Sequence, residues 1–168
     1  MTFLQNMVSA LTALNPLVLD DFKKTIREWK GSIVILGNGG SNAIASHIAE
    51  DYTKALGKRA ICFSDGARMS CYANDYGYEN AFSQFVKEFS DLDSLVILIS
   101  SSGNSKNIVN CAQYCSENSI HYALLTGFES GNSIRSSYAS GAIHDFWVDS
   151  KDYGIVECMH EIILHSVI

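Results

Sequence analysis

The chain has 168 residues, 47% of them hydrophobic and 18% charged, with a single proline. That excludes a disordered tail or a fibrous repeat, and a domain of this length buries roughly 70% of its unfolded surface without help from disulfides or a structural metal. Lys and Arg number 12 against 18 Asp and Glu, for a net charge of −6 with no basic run, which argues against a nucleic-acid partner.

Five cysteines, at 62, 71, 111, 115 and 158, form no C-x-x-C pair and leave an odd count. They read as buried or free thiols of a reducing compartment, with Cys111 and Cys115 as apolar fillers one helical turn apart. The opening segment, residues 1–21, lacks a basic n-region, and Gln, Asn, Ser and Thr interrupt its apolar residues. It is neither a signal peptide nor a membrane span, so a cytoplasmic protein without a membrane partner is expected.

From residue 2 to about 14, apolar side chains recur at helical intervals until Asn15-Pro16 interrupts them. A second helix, 17–30, sets Leu19, Phe22, Ile26 and Trp29 on one face. Residues 32–36 are a short continuous apolar run that ends in Gly37-Asn38-Gly39-Gly40-Ser41, and a helical stretch follows over 42–56. That is a strand buried on both faces, a glycine turn and a helix. The unit recurs. Residues 59–64 are strand-like and 78–89 helical; 94–99 lead through a serine loop into a helix to about 118; 121–125 and 143–148 complete about five strands. Strands alternating with helices call for a parallel sheet covered on both sides, and the crossover rule leaves a three-layer, flavodoxin-like α/β fold as the simplest topology. No linker or repeat interrupts it, so residues 1–168 read as one domain. The last helix, 153–168, is apolar on most sides. Together with the N-terminal helices of residues 1–30, it asks for burial in a homo-oligomer, the alternative being that the last helix plugs its own core.

Ligands of doubly wound sheets bind at the carboxyl ends of the strands, and two loops here are shaped for an anion. The glycines of Gly37-Asn38-Gly39-Gly40-Ser41 let backbone N–H groups approach a ligand, and the helix that follows adds its positive end. Asn42 stands where the third glycine of G-x-G-x-x-G belongs and no Walker lysine follows, which disfavours a nucleotide. Ser100-Ser101-Ser102-Gly103-Asn104-Ser105 offers four hydroxyls and a helix N-terminus without a cation. One hydroxyl would cap the helix; four exceed that need and suit a monophosphate.

His47 and Asp51 lie four apart on one helix face, and Glu157, Glu161 and His165 step along the last helix at the same interval, with His160 between them. A carboxylate and an imidazole from each of two helices hold a divalent metal, divide acid and base work, or make ordinary surface hydrogen bonds. His121 and His144 fall in strand-like segments and read as structural. Asp75, in Ala73-Asn74-Asp75-Tyr76-Gly77, makes either an Asx turn or a contact to a substrate hydroxyl.

Four motifs, in the right order from about residue 33 onward, resemble the sugar isomerase (SIS) domain and within it the phosphoheptose isomerases. They are the glycine loop 37–41, Ser70-Cys71-Tyr72-Ala73-Asn74-Asp75-Tyr76-Gly77, the serine loop 99–105, and the helix carrying Glu157 to His165. The resemblance implies a homotetramer with active sites at subunit interfaces that converts sedoheptulose 7-phosphate to D-glycero-D-manno-heptose 7-phosphate, the first step towards nucleotide-activated heptose for surface glycans. By position it puts Ser41, Ser100, Ser101, Ser102 and Ser105 on phosphate and sugar contacts, with Gly39 in the same loop, Asn38 and Asp75 on the sugar, and Glu157 among the substrate contacts as well as at the metal. His165 falls on the catalytic histidine and His47 on a zinc ligand.

Two positions depart from the family pattern. The catalytic glutamate four residues after the first histidine is Asp51 here, with Glu50 beside it, and the glutamine eight residues before the last histidine is Glu157. Asp51 is one methylene shorter, enough to displace a base by about an ångström, and Glu157 adds negative charge at the implied metal. The paired exchange points to a subgroup acting on a related ketose phosphate. Asp51 or Glu50 is then expected as the base at carbon and His165 as the carrier of the second proton. Zinc, held by His47, Asp51, Glu157 and His165, is expected to polarise the carbonyl. Two alternatives stand beside this: a sugar-phosphate-binding module without catalysis, and a scaffold subunit that partners a paralogous isomerase.

Overall fold

The structure, a computed structural model, describes residues 2–168. Two helices, α1 (Phe3–Ala13) and α2 (Pro16–Glu28), precede β1 (Ile33–Gly37), α3 (Gly40–Leu56), β2 (Ala60–Cys62) and α4 (Gly66–Tyr76). A 3-10 turn over Tyr78–Asn80 leads into α5 (Ala81–Phe89). Then come β3 (Leu95–Ser100), α6 (Lys106–Glu117), β4 (His121–Thr126), α7 (Ser133–Tyr138), β5 (His144–Trp147) and α8 (Tyr153–His165). The five strands are all parallel in the order β2-β1-β3-β4-β5, the flavodoxin-like arrangement expected.

The central strands are apolar on both sides, and residue parity divides the two cores. Ile33 and Ile35 of β1 and Ile97 and Ile99 of β3 join Phe22, Ile48, Tyr52 and Leu164 on the face covered by α2, α3 and α8. Val34, Leu36, Val96 and Leu98 join Tyr72, Phe82, Phe85 and Ile108 on the face covered by α4, α5 and α6. Each of these aliphatic side chains is fully buried and contributes about 1.5–3 kcal/mol. Cys111 and Cys115 are buried fillers in the second core. His144 is structural too: Thr25 Oγ1 lies 2.9 Å from its Nε2, and Phe22 packs edge-on against the ring.

Some boundaries differ from expectation. Residues 66–76, for which nothing was expected beyond a turn or substrate contact at Asp75, are helical because Asp65 caps the Arg68 N–H at 2.7 Å and Tyr72 packs on Phe63. The helix expected over 78–89 begins as a 3-10 turn, and α7 was not expected at all. The last helix stops at His165 rather than running to 168; beyond it, Arg27 donates to the carbonyls of Val167 and Ile168, and Lys23 to that of Ser166. α1 buries no residue, and Leu4, Val8 and Leu17 stay more than half exposed. Among the described residues no helix is long and apolar enough to cross a membrane.

Candidate active site

The strand order reverses between β1 and β3, so the loops leaving these neighbours diverge and open a crevice at their carboxyl ends. The crevice is a cavity of about 250 Å³ that joins Gly39, Ser41, Ser100, Ser101, Ser102 and Ser105. Asn38, Gly40, Tyr153 and Glu157 also line it. Gly39 caps α3 and Ser105 caps α6, and neither helix receives a side-chain cap hydrogen bond. No serine hydroxyl caps α6, contrary to expectation, and the leading N–H groups of two helices are left for a ligand. Ser100 Oγ accepts from Gly103 N–H and Ser102 Oγ from Asn104 N–H, each at 3.2 Å, folding the loop on itself. Ser101 Oγ is buried and has no partner among the described residues. An unmet hydroxyl costs about 1–3 kcal/mol, which an anion's oxygen would recover.

Asn38 and Asn107 exchange two amide hydrogen bonds of 2.9 Å, and Tyr78 donates to Asn38 Oδ1 at 2.7 Å. The Asn38 carboxamide, expected on the sugar, thus braces the two loops. Asp75 lies in the last turn of α4, exposed and accepting from Cys71 and Asn74; it does not line the cavity. Tyr153, Asn107 and Tyr78 carried no sequence signal for these places.

A second group of side chains lies down α3, about 10 Å from its N-terminus by helical rise. Asp51 Oδ2 is 3.2 Å from His47 Nε2 and 3.2 Å from His165 Nε2. His165 Nδ1 is 3.1 Å from the Glu161 carbonyl, which can only accept. Nδ1 therefore carries a ring proton, and Nε2 faces the Asp51 carboxylate. A proton or a cation between them satisfies that contact, and imidazole and carboxylate donors at this spacing fit a divalent metal such as zinc. Donor atoms of His47, Glu161 and His165 all lie within 4.8 Å of one another.

Glu50, the alternative base, is not in this group, and Glu157 lies where its expected substrate contact would put it, away from the histidines. Glu157 is at the serine cavity, its carboxylate so close to Gly40 that a Cβ there would meet Oε2 at 2.5 Å. Glu50 is on the exposed side of α3, 3.8 Å from Lys54. His160, between the carboxylates in sequence, turns into the core, where its Nε2 is 3.1 Å from the Thr126 carbonyl; burial pushes its imidazole down to about 4. Tyr52 locks α3 against α8 by donating to the Leu164 carbonyl at 2.9 Å.

A parallel sheet with an anion-shaped cavity at its switch point and an acid–base cluster on two packed helices defines a doubly wound α/β protein of the ligand-binding kind. Residues 21–127 match the SIS domain family, and the chain belongs to it. Phosphoheptose isomerase of Histophilus somni is 36% identical over 120 residues, 68% of this chain and 59% of that protein. The Cytophaga hutchinsonii protein of the same name is 30% identical over 146 residues, 82% of this chain and 73% of that one. The chain spans about three fifths of the length of the first such relatives. Among solved structures, phosphoheptose isomerase from Neisseria gonorrhoeae superposes with a TM-score of 0.87 at 24% identity, over 98% of this chain and 90% of that one. The Vibrio vulnificus NanR protein complexed with ManNAc-6P shares the fold with a TM-score of 0.67 at 18% identity, over 98% of this chain and 56% of that one.

Proposed function

We propose that the chain is an aldose–ketose isomerase that converts sedoheptulose 7-phosphate to D-glycero-D-manno-heptose 7-phosphate through an enediol, serving nucleotide-activated heptose synthesis. The observation that carries it is one carboxylate, Asp51, between two imidazoles, on a helix whose first turn lines a cavity of serine hydroxyls. Relatives named phosphoheptose isomerase, at 30–36% identity, support the substrate.

The substrate phosphate takes the hydroxyls of Ser100, Ser101, Ser102 and Ser105 and the N–H groups at the starts of α3 and α6, with Ser101 gaining the partner it lacks. Asp51, whose Oδ1 makes no hydrogen bond among the described residues, removes a proton from C1 of the ketose. The C–H electrons form the C1–C2 double bond, and the carbonyl oxygen at C2 takes the Nε2 proton of His165 in its imidazolium form. His165 then recovers the proton of the C1 hydroxyl, C1 becomes the carbonyl, and C2 takes the proton back from Asp51. Where His47, His165 and a carboxylate instead hold a divalent ion, that ion would polarise the carbonyl and stabilise the enediolate charge in place of the His165 proton.

The same proposal makes residues 1–168 one domain of a cytoplasmic homotetramer with active sites at contacts between copies. Its support is the bare apolar face of α1 and the 53% exposure of the His47 side chain, which needs cover if an enediol is to form away from water.

The test is proton NMR of the purified protein with sedoheptulose 7-phosphate in D2O, with and without zinc and a chelator. Deuterium at C2 of an aldose product, lost in a folded Asp51→Asn variant, bears the proposal out. Exchange on a ketohexose or ketopentose phosphate alone would change the substrate. Sugar phosphates that bind without any exchange would leave only the binding module.

A further inference from the structure

Apart from His160, α8 buries only apolar side chains: Ile155, Val156, Met159, Ile163 and Leu164. His160 is fully buried, and the isomerase mechanism has no use for it. Its Nε2 is 3.1 Å from the Thr126 carbonyl, so Nε2 carries the proton and Nδ1 is left as an acceptor. Among the described residues, His160 Nδ1 and Ser101 Oγ are the two buried side-chain polar atoms without a partner. Both belong to residues that grip one peptide unit, that of Thr126 and Gly127.

The grip has two ends. The Thr126 carbonyl faces His160, and the Gly127 N–H donates to the Ser101 carbonyl at 3.0 Å. Thr126 pairs with Ser100 in the β3–β4 register, so this peptide lies where the serine loop leaves the sheet. It has little room to shift: a Cβ at Gly127 would lie 2.7 Å from the Val156 methyls and 3.1 Å from the Ser101 carbonyl oxygen. The Val148 N–H already donates to the Thr126 carbonyl at 2.9 Å, so His160 is not needed to satisfy that oxygen. A leucine at position 160 would strand no acceptor. The imidazole is therefore a cost to the fold, and its return is a second hold on the peptide plane. What that plane holds in turn is Ser101, whose hydroxyl lines the anion cavity and, with no partner of its own, takes its place from the backbone.

We propose that His160 is a positioning residue of the anion cavity, which through the peptide of Thr126 and Gly127 fixes Ser101 for donation to the substrate phosphate. It touches no substrate itself. The proposal deepens the isomerase reading and rests on its placing of the phosphate in the serine loop.

The full chain is titrated with inorganic phosphate by calorimetry, and its stability is read by urea unfolding. His160→Leu removes the donor and the stranded acceptor together. It is expected to unfold at the same or a higher urea concentration than wild type and to bind phosphate about tenfold more weakly. His160→Gln, whose amide nitrogen reaches as far as Nε2, is expected to stay within about threefold of wild type. In a Ser101→Ala background His160→Leu should change phosphate affinity by less than about twofold, because the group it positions is gone. A merely structural histidine would move the urea midpoint and leave the phosphate affinity of the folded protein alone. Phosphate affinity of His160→Leu within about twofold of wild type overturns the proposal, as does a loss that persists in the Ser101→Ala background or that His160→Gln does not relieve. If His160→Leu does not fold, His160→Asn, whose amide is too short for the Thr126 carbonyl, takes its place in each affinity comparison. A wild type that binds no phosphate overturns the placing of the phosphate and the proposal together. Phosphate binding with this pattern intact but no deuterium exchange counts against the isomerase reading alone.

Discussion

Gly103→Ala tests how the serine loop is held. Gly103 has φ +64°, and a Cβ there would lie 2.1 Å from Asn132 Cγ and Oδ1. The backbone conformation alone costs alanine about 1–2 kcal/mol. The overlap costs more, because Asn132 is buried and fully used: its Oδ1 caps α7 through Arg135 N–H, and its Nδ2 donates to the carbonyls of Gly127 and Glu129. Displacing it loses a cap of about 1 kcal/mol and two hydrogen bonds of about 1 kcal/mol each, so the total is about 4 kcal/mol. Gly57 is the control, with φ +65° at the C-cap of α3 and nothing within 4 Å of an added Cβ. Gly57→Ala is expected to cost only the backbone share, about 1 kcal/mol. Urea unfolding at one protein concentration reads both. In an Asn132→Ala background the cost of Gly103→Ala should shrink to that of the control, a coupling of about 2–3 kcal/mol. Equal costs for Gly103→Ala and Gly57→Ala in the wild-type background would refute the reasoning.

Ser101→Ala removes a buried hydroxyl without a partner; urea unfolding should show stability unchanged or raised by up to about 1 kcal/mol, while calorimetry shows weaker phosphate binding. Tyr52→Phe removes the hydrogen bond to Leu164 beside His165, so a loss of about 1 kcal/mol should come with a lower kcat and little change in KM. Burial holds the His144 imidazole below its ordinary value. The unfolded chain therefore takes up that proton first, and the contribution is present above about pH 6.5 and is lost as pH falls from there. Urea midpoints should show wild type losing stability relative to His144→Gln between about pH 7 and pH 5, and parallel curves would sink the idea.

The strands were the most legible part of the sequence. β1, β3 and β4 are continuous apolar runs because both faces meet helices, and the glycine and serine loops that follow β1 and β3 announce the crevice. α4 and α7 were hidden. Each is short on inward apolar residues, burying only Tyr72 and Ile134 respectively, and each depends on a single cap, Asp65 or Asn132. In the site, spacing of four marks Glu157, Glu161 and His165 as one stripe, but a helix turns about 40° over each such step. Which carboxylate reaches the histidines depends on where α3 lies against α8, and no local pattern encodes that. The same holds for Glu50 and Asp51, adjacent in sequence and about 100° apart around the helix, one beside Lys54 and the other between two imidazoles.

The carboxamide pair of Asn38 and Asn107, with Tyr78 on its edge, joins three elements that approach the crevice from different parts of the chain. Their mutual freedom is lost at folding and not at the arrival of a ligand, so the crevice is preorganised and little ordering entropy opposes occupancy. Inorganic phosphate, with no sugar to help it, should therefore bind in a single fast phase without a slow closing step, and cutting the brace with Asn107→Ala should appear first as a slower, weaker capture of that small anion.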